Sequence, residues 1–235
     1  MKASNNYSKV RSIVIDFDST ICAVESMDIL FEEIFREETE REKILHDVKR
    51  ITRIGMEGNM PFDESLKKRV DLIPSKLIPI ERIVSRLKER LSLSFKKFIS
   101  RVDISCVNVV SSGFRQLIEP CLTPLGIPKQ RIHCNRLILN SAGVFQGVDF
   151  DHALAKCDGK ERVVTELGLE REIVMIGDGS TDARGAQSGV ADYFFGYAEF
   201  VRRENVLSQA NETLTSFDDL DNLLNFDSLK NTKAN

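Results

Sequence analysis

The stretch SIVIDFDST at residues 12–20 decides the fold of this 235-residue chain. Its apolar residues follow one another without alternation, which predicts a strand buried on both faces, as in a parallel sheet. Similar runs occur at residues 106–110 and 173–176, and acidic or small residues follow each of them at once. We therefore predict an α/β fold with a central parallel sheet and a functional site at the carboxyl ends of its strands.

Helical patterns fill the long segment between the first two of these strands. Apolar residues recur at helical spacing in three stripes, which are Met27, Leu30, Phe31, Ile34 and Phe35, then Ile44, Leu45, Val48 and Ile51, then Ile80, Ile83, Val84, Leu87 and Leu91. A crossover between parallel strands needs far fewer residues than this segment contains. We predict a helical-bundle cap at residues 22–90, inserted into a core formed by residues 1–21 and 91–235.

Three smaller patterns complete the predicted organisation. The charged stretch REETEREK at residues 36–43 is typical of a solvated loop or helix end. Apolar spacing after Gly113 predicts a helix that begins near Phe114. Residues 136–148 predict a β-hairpin with its turn at residues 140–143.

The composition excludes several classes of function. The chain has 33 lysine and arginine residues against 36 aspartate and glutamate residues, whereas a non-specific nucleic-acid or membrane-surface protein would carry a basic excess. No apolar run approaches the roughly 18 residues of a membrane helix, and residues 1–6 lack a signal-peptide core. Five cysteines without a C-x-x-C pair favour reduced thiols. We expect a cytoplasmic protein without nucleic-acid or membrane partners, whose oligomeric state the sequence leaves open.

Four carboxylates lie at the predicted strand ends. Asp16 and Asp18 end the first run, and Asp178 and Asp182 follow the third run in the sequence GDGSTD. Two carboxylates this close at a buried strand end ionise together only when a cation joins them. Oxygen ligands without a nearby histidine favour Mg²⁺, which binds carboxylates together with a substrate phosphate. A helix cap or turn would explain each aspartate singly, but not both acids of the first pair.

Two further motifs suit an anion. Ser111, Ser112 and Gly113 follow the second run, and backbone N–H groups at a helix start beside a hydroxyl bind phosphate. Lys160 begins another predicted helix, where a cation opposes the helix dipole unless an anion lies nearby. The residues alone leave open an ordinary serine N-cap and a solvated lysine.

Together and in this order, DFDST (16–20), SSGFR (111–115), a lysine and VMIGDGSTD (174–182) resemble the four-motif signature of haloacid dehalogenase-type phosphatases. Glu25, the cap stretch MEGNMPFDESLKKRVDLI (56–73) and CNRLIL (134–139) are similar to the phosphoserine phosphatase family in particular. The resemblance covers most of residues 11–200. It implies a haloacid dehalogenase-like Rossmannoid core with an inserted cap that selects the substrate.

The resemblance also implies a mechanism and a cofactor. Asp16 would be the nucleophile that forms an aspartyl-phosphate, and Asp18 would be the general acid and base. Lys160 would be catalytic and would bind phosphoryl oxygens. Asp16, Asp178 and the backbone carbonyl of Asp18 would hold Mg²⁺. The implied reaction is the hydrolysis of O-phospho-L-serine, the last step of serine biosynthesis.

For the amino-acid end of the substrate, Glu25 matches the family residue that takes the ammonium group, and Arg69 matches the one that takes the carboxylate. Phe62 and Arg69 are seven residues apart and would share a helix face with Leu66. An arginine on an apolar face suits an anion clamp, although an arginine that snorkels from a core helix is the alternative.

The resemblance implies further substrate-binding residues, with Ser112 standing where the family usually has glycine, which predicts a slightly narrower pocket. The full substrate-binding set is Glu25, Met56, Glu57, Phe62, Arg69, Ser111, Ser112, Gly113, Lys160 and Thr181, and Asp182 would orient the groups around them.

Other functions fit the sequence less well. A receiver-type signalling domain, built on a phosphorylated aspartate, has its acidic cluster before that aspartate and carries no cap. A P-loop is absent, because Glu161 follows Gly159-Lys160, and no G-x-S-x-G motif marks a serine hydrolase. A binding module without catalytic activity would not need the complete set of four aspartates, Ser111 and Lys160. The open alternative is a phosphatase or phosphotransferase acting on another small phosphate ester, such as phosphohomoserine.

Overall fold

A computed structural model describes residues 7–224. The strands are β1 (Ser12–Ile15), β2 (Val107–Phe114), β3 (Ile132–Asn135), β4 (Leu137–Leu139), β5 (Phe145–Val148), β6 (Ile173–Gly177), β7 (Tyr193–Tyr197) and β8 (Glu212–Leu214). Six of them form a parallel sheet in the order β3-β2-β1-β6-β7-β8, and strands β4 and β5 form a separate antiparallel hairpin. The predicted α/β fold and the predicted hairpin are confirmed.

Strand β1 lies in the middle of the sheet, as its unbroken apolar run requires. All four of its residues are buried, and Ile13 is in register with Val107 of β2 on one side and Val174 of β6 on the other. Both faces of a central parallel strand are covered, so no polar residue alternates with the apolar ones. The carboxyl ends of β1, β2 and β6 therefore meet at one edge of the sheet.

Ten α-helices occur in the described residues 7–224, and five of them stand between β1 and β2, the first four within residues 22–90. The helices are α1 (Ser26–Ile34), α2 (Arg41–Met56), α3 (Phe62–Val70), α4 (Ile80–Glu89), α5 (Leu93–Ile99), α6 (Arg115–Leu122), α7 (Gly159–Glu166), α8 (Ser180–Gln187), α9 (Glu204–Leu207) and α10 (Leu220–Leu223). The predicted apolar stripes lie on α1, α2 and α4. Residues 36–43 form the exposed loop and first turn of α2, as predicted. Within residues 7–224, no helix has both the length and the apolar character needed to cross a bilayer.

The chain enters and leaves the four-helix segment at one place. The Ala23 N–H donates to the carbonyl of Arg90 at 2.9 Å, and the Ser92 N–H donates to the carbonyl of Ile21 at 2.9 Å. Two adjacent crossings are what an inserted segment needs. They support the division at residues 22–90, which we keep as a proposal. Residues 1–6 and 225–235 of the proposed core lie outside the described part of the chain.

One local prediction differs from the structure. The helix predicted to begin near Phe114 is confirmed as α6, which begins at Arg115, but Ser111, Ser112 and Gly113, predicted to lie at its start, belong to β2, which continues through Phe114. The pairing between β2 and β3 shifts register between Ser111 and Phe114, so this segment is an irregular strand end. Pairing with β3, a strand that the sequence patterns did not indicate, extends β2 beyond its apolar run.

Candidate active site

Asp16 follows the last residue of β1 and lies buried at the carboxyl edge of the sheet. One of its oxygens, Oδ1, accepts a hydrogen bond from the backbone N–H of Phe17 at 2.7 Å. The other, Oδ2, lies 3.0 Å from Nζ of Lys160. Ser19 has a φ of 53°, so the chain turns sharply just after Asp18. This arrangement orients the Asp16 carboxylate and places a positive charge directly beside it.

Lys160 connects two buried acids. Its ammonium group lies 2.6 Å from Oδ1 of Asp182, whose Oδ2 accepts the backbone N–H of Gly179 at 3.2 Å. Burial lowers the pKa of Lys160, but the carboxylates of Asp16 and Asp182 more than offset this and hold the pKa above its usual value. The raised pKa favours the charged lysine, and both oxygens of Asp182 are occupied in holding it and the β6–α8 turn.

Glycine at position 159 lets Lys160 reach this position. A Cβ at residue 159 would lie 2.3 Å from the carbonyl oxygen of Ala153 and 2.7 Å from the Cα of Leu154. Both contacts are with backbone atoms, which cannot move aside as a flexible side chain would. The first turn of α7 therefore packs closely against the preceding 3₁₀ turn, and this packing fixes the lysine.

Asp18 is buried and accepts hydrogen bonds at both oxygens from Ser26, the first residue of α1. The Ser26 N–H donates to Oδ1 at 2.6 Å, and the Ser26 hydroxyl donates to Oδ2 at 3.0 Å. Burial, followed by the charges of Glu25 and Asp16, raises the pKa of Asp18 well above its ordinary range. A raised pKa favours the protonated carboxyl group, which is the form that general acid catalysis needs.

Asp178 completes an acidic cluster with Asp16. Carboxylate oxygens of Asp16, Asp178 and Asp182 lie within 4.8 Å of one another, and all three residues are buried. Oδ1 of Asp178 accepts from the Thr20 hydroxyl at 3.3 Å, and Oδ2 forms an ion pair with Nη1 of Arg203. The cluster is compatible with a metal site built from oxygen ligands.

The end of β2 supplies a polar wall on the other side. The buried Ser111 hydroxyl accepts the backbone N–H of Gly113 at 3.1 Å. Nδ2 of Asn135 donates to the carbonyls of Ser112 at 2.8 Å and Leu154 at 2.9 Å. Asn135 therefore joins the irregular strand end to the turn that precedes α7 and Lys160.

The helices between β1 and β2 close the site from above. Arg69 on α3 is buried, with its Nε donating to the Ser65 carbonyl at 3.2 Å and its Nη1 to the Thr52 hydroxyl at 3.3 Å. No carboxylate of the described residues lies within ion-pair distance of it. Burial lowers the pKa of Arg69, and the charge of Glu25 opposes this. A buried guanidinium without an ion-pair partner is costly unless it meets an anionic ligand.

Glu25 lies opposite, at the N-cap of α1. Its Oε1 accepts the Ser19 hydroxyl at 2.7 Å and lies 3.7 Å from Nη2 of Arg203. The cavity between sheet and helices thus has acids and a lysine at its base and an acid and an arginine above. The residues that line it are Asp16, Asp18, Glu25, Met27, Met56, Phe62, Leu66, Arg69, Ser111, Ser112, Gly113, Phe114, Lys160 and Thr181.

The structure brings most predicted site residues to this cavity. Asp178 and Asp182 stand just behind its base. Glu57 lies apart, since its carboxylate accepts from Asn59 at 3.2 Å on the surface and its carbonyl accepts Nδ2 of Asn205 at 2.6 Å. Glu57 therefore helps to hold the loop after α2 and does not line the cavity.

Comparison with known proteins identifies the family. The family described as haloacid dehalogenase-like hydrolase matches residues 10–189, most of the chain. The chain belongs to this family. Two similar proteins are the chloroplastic phosphoserine phosphatase of Arabidopsis thaliana, 31% identical over 223 residues (93% of this chain and 73% of that protein), and human phosphoserine phosphatase, 29% identical over 214 residues (89% and 91%).

A solved structure agrees with this family fold. A phosphoserine phosphohydrolase-like protein from Francisella tularensis superposes with a TM-score of 0.80 at 27% identity, covering 91% of this chain and 99% of that one. The family resemblance predicted from the motifs is confirmed.

Sequence reasoning overlooked four residues at the site of this haloacid dehalogenase-like hydrolase. Arg203 reaches Asp178, Thr52 reaches Arg69, Asn135 bridges two segments and Ser26 holds Asp18. Asn135 lies within CNRLIL, a stretch that resembles the family, and Thr52 falls four residues before Met56 on α2. The sequence around Asn135 and Thr52 therefore indicates that they lie near the site, but no local pattern predicts which distant group each of them contacts.

Proposed function

We propose that this protein is a Mg²⁺-dependent phosphatase that hydrolyses O-phospho-L-serine to L-serine and phosphate. The observation that carries the proposal is one cavity lined by Asp16, Asp18 and Lys160 on the sheet side and by Glu25 and Arg69 on the helix side. The first group suits phosphoryl transfer, and the second suits a zwitterion. The relatives named phosphoserine phosphatases support the same substrate.

In the first step, an oxygen of Asp16 attacks phosphorus, and the bond from phosphorus to the serine oxygen breaks. Asp18 gives its proton to that oxygen as serine leaves. Lys160, 3.0 Å from Oδ2 of Asp16, orients the carboxylate and attracts the phosphoryl oxygens. Ser111 and the backbone at Gly113 supply hydrogen bonds to the same oxygens.

In the second step, Asp18 takes a proton from water as the water oxygen attacks phosphorus. The aspartyl-phosphate then breaks, phosphate leaves, and Asp16 and the protonated Asp18 are restored. Asp16, Asp178 and the backbone carbonyl of Asp18 would hold Mg²⁺, whose charge offsets the repulsion between the carboxylate and the phosphate dianion. Asp182 keeps Lys160 and the β6–α8 turn in place, and Thr181 lines the cavity beside them.

At the other end of the substrate, Glu25 takes the ammonium group and Arg69 takes the carboxylate. Both side chains reach the same cavity, and Arg69 has no carboxylate partner of its own among residues 7–224. Met56 and Phe62 line the apolar side of the cavity between them. The cytoplasmic location predicted from the sequence stays a prediction.

The proposal is tested by ranking phosphate esters by kcat/KM, with Mg²⁺ and after its removal by a chelator. Phosphoserine should rank first, ahead of phosphoethanolamine, which lacks the carboxylate, and phosphoglycolate, which lacks the ammonium group. Activity should fall on chelation and return with added Mg²⁺. If phosphohomoserine or another ester ranks higher, that ester and not phosphoserine is the substrate. Full activity without a divalent ion would refute the Mg²⁺ requirement.

Two variants test the residue roles. Asp16→Asn should lower kcat by about three orders of magnitude or more while the protein still folds, because an amide is a poor nucleophile. Arg69→Ala should raise KM for phosphoserine roughly 30-fold, since a hydrogen-bonded charge pair of about 2 kcal/mol is lost. It should change KM for phosphoethanolamine far less. Equal effects on both esters would contradict the carboxylate clamp.

A further inference from the structure

Asp18 and Ser26 form a buried contact between the sheet edge and the four helices above it. Ser26 is fully buried and supplies both hydrogen bonds to the carboxyl group, through its backbone N–H to Oδ1 at 2.6 Å and through its hydroxyl to Oδ2 at 3.0 Å. Asp18 precedes the proposed cap and Ser26 begins its first helix. One residue of the helical segment therefore determines the direction of both oxygens of a sheet-edge acid.

This contact is more than an ordinary helix cap. Glu25 occupies the N-cap position of α1, but its side chain makes no hydrogen bond to the helix. The carboxyl group of Asp18, eight residues before Ser26, instead accepts the N–H of Ser26, which is the first free N–H of the helix. The helix dipole adds to this attraction for a negative charge. Packing of α1 and orientation of Asp18 are therefore coupled.

The irregular end of β2 encloses the pair from a third side. A Cβ at Gly113 would lie 2.9 Å from Oδ2 of Asp18 and 3.0 Å from Oγ of Ser26. Gly113 belongs to the segment that we propose to bind phosphate. The carboxyl group is thus restricted between β2 and α1, within a few ångströms of the groups proposed to hold the phosphoryl oxygens.

We propose that Ser26 is a positioning residue for the acid that protonates the leaving group, an inference that rests on the proposed function. The Ser26 hydroxyl donates to Oδ2 of Asp18, a residue that lines the cavity. The Asp18 proton passes from this oxygen to the leaving oxygen as the bond from phosphorus breaks. Without the hydroxyl, only the backbone N–H orients the carboxyl group.

Esters with different leaving groups distinguish a role of Ser26 in protonating the leaving group from a purely structural role. An alkyl phosphate such as phosphoserine needs a proton on its departing oxygen, whereas p-nitrophenolate departs from p-nitrophenyl phosphate without one. The ratio kcat/KM reports steps up to the departure of the leaving group and excludes hydrolysis of the aspartyl-phosphate. Ser26→Ala should lower kcat/KM for phosphoserine about tenfold or more, and for p-nitrophenyl phosphate less than about threefold.

Three further variants make the comparison specific. Ser26→Thr keeps the hydroxyl and should restore most of the lost activity. Ser94→Ala removes another buried hydroxyl, which lies outside the cavity and donates to Glu199 at 3.3 Å. This variant should not alter the ratio of kcat/KM between the two esters. In an Asp18→Asn background, Ser26→Ala should cause no further loss, because residues that act as one unit are not additive.

Equal losses on the two esters, no loss on either, or full additivity with Asp18→Asn would overturn the proposal. If Ser26→Ala does not fold, Ser26→Cys carries the same comparison with a weaker donor of similar size. A wild-type protein that prefers another alkyl phosphate would contradict the proposed substrate only, because the comparison of alkyl with aryl esters could be repeated with that ester.

Discussion

Asp28, a partly buried residue in the first turn of α1, should make the protein less stable as the pH rises. Its Oδ1 is buried without a hydrogen-bond partner among residues 7–224. Burial, together with the charge of Glu25, raises the pKa of Asp28 from 3.8 to about 6, and the charges of Arg69 and Lys49 only partly oppose this. We predict that Asp28→Asn stabilises the fold at neutral pH.

The magnitude follows from the pKa difference. Below pH 3.8 the side chain is neutral in both folded and unfolded chains, so the substitution should have little effect there. Between pH 3.8 and about 6 only the unfolded chain ionises, so each increase in pH favours unfolding. Above pH 6 the full difference of roughly two pKa units costs about 3 kcal/mol. Asp28→Asn removes this cost, because an amide does not ionise.

Urea unfolding of wild type and variant at pH 5.0 and pH 7.5 measures the effect. The variant should be more stable at both values, with its advantage larger at pH 7.5 by about 1.4 kcal/mol, the cost of one further pKa unit. Asp71→Asn is the matched control, since Asp71 is exposed and pairs with Lys67 at 3.2 Å, a contact worth less than about 1 kcal/mol. An advantage of Asp28→Asn that does not grow with pH would refute the reasoning.

Two other substitutions test the packing that supports the site. Gly159→Ala should cost about 2 kcal/mol or more, because its Cβ would lie 2.3 Å from the Ala153 carbonyl, and should also lower kcat by moving Lys160; unchanged thermal unfolding and turnover would contradict this. Ser92→Ala should cost about 1 kcal/mol in urea unfolding without changing kcat, since its hydroxyl caps α5 by accepting the Phe95 N–H at 3.2 Å. A loss of turnover at unchanged stability would contradict the capping role.

Local patterns in the chain were sufficient to predict the sheet and the acids at its edge. The run at residues 12–17 can be buried only as a central parallel strand, and the carboxyl end of such a strand lies beside those of its neighbours. The positions of Asp16 and Asp178 follow from this rule. The sequence also predicts the helical segment between β1 and β2, because the apolar residues of each stripe recur at helical spacing within a few turns.

The short strands β3, β7 and β8 were not predicted. Each has five or fewer residues, and none of them leads into an aspartate motif of the kind that marks the ends of the equally short β1 and β6. The extension of β2 through Phe114 depends in turn on β3. Residues 111–113 therefore end a strand and do not open the helix, which is present as predicted from Arg115, and the cause lies some twenty residues away in the chain.

By itself, the sequence determined the α/β fold, the four aspartates, Lys160 and, by family resemblance, the phosphatase chemistry. Only the tertiary structure decided which partner each of these groups meets. Ser26 on Asp18 and Arg203 on Asp178 are contacts between residues on different elements. Hydrogen bonds and ion pairs act over about 3 Å in space, whereas sequence patterns encode neighbours along the chain, so such pairings emerge only when the elements pack.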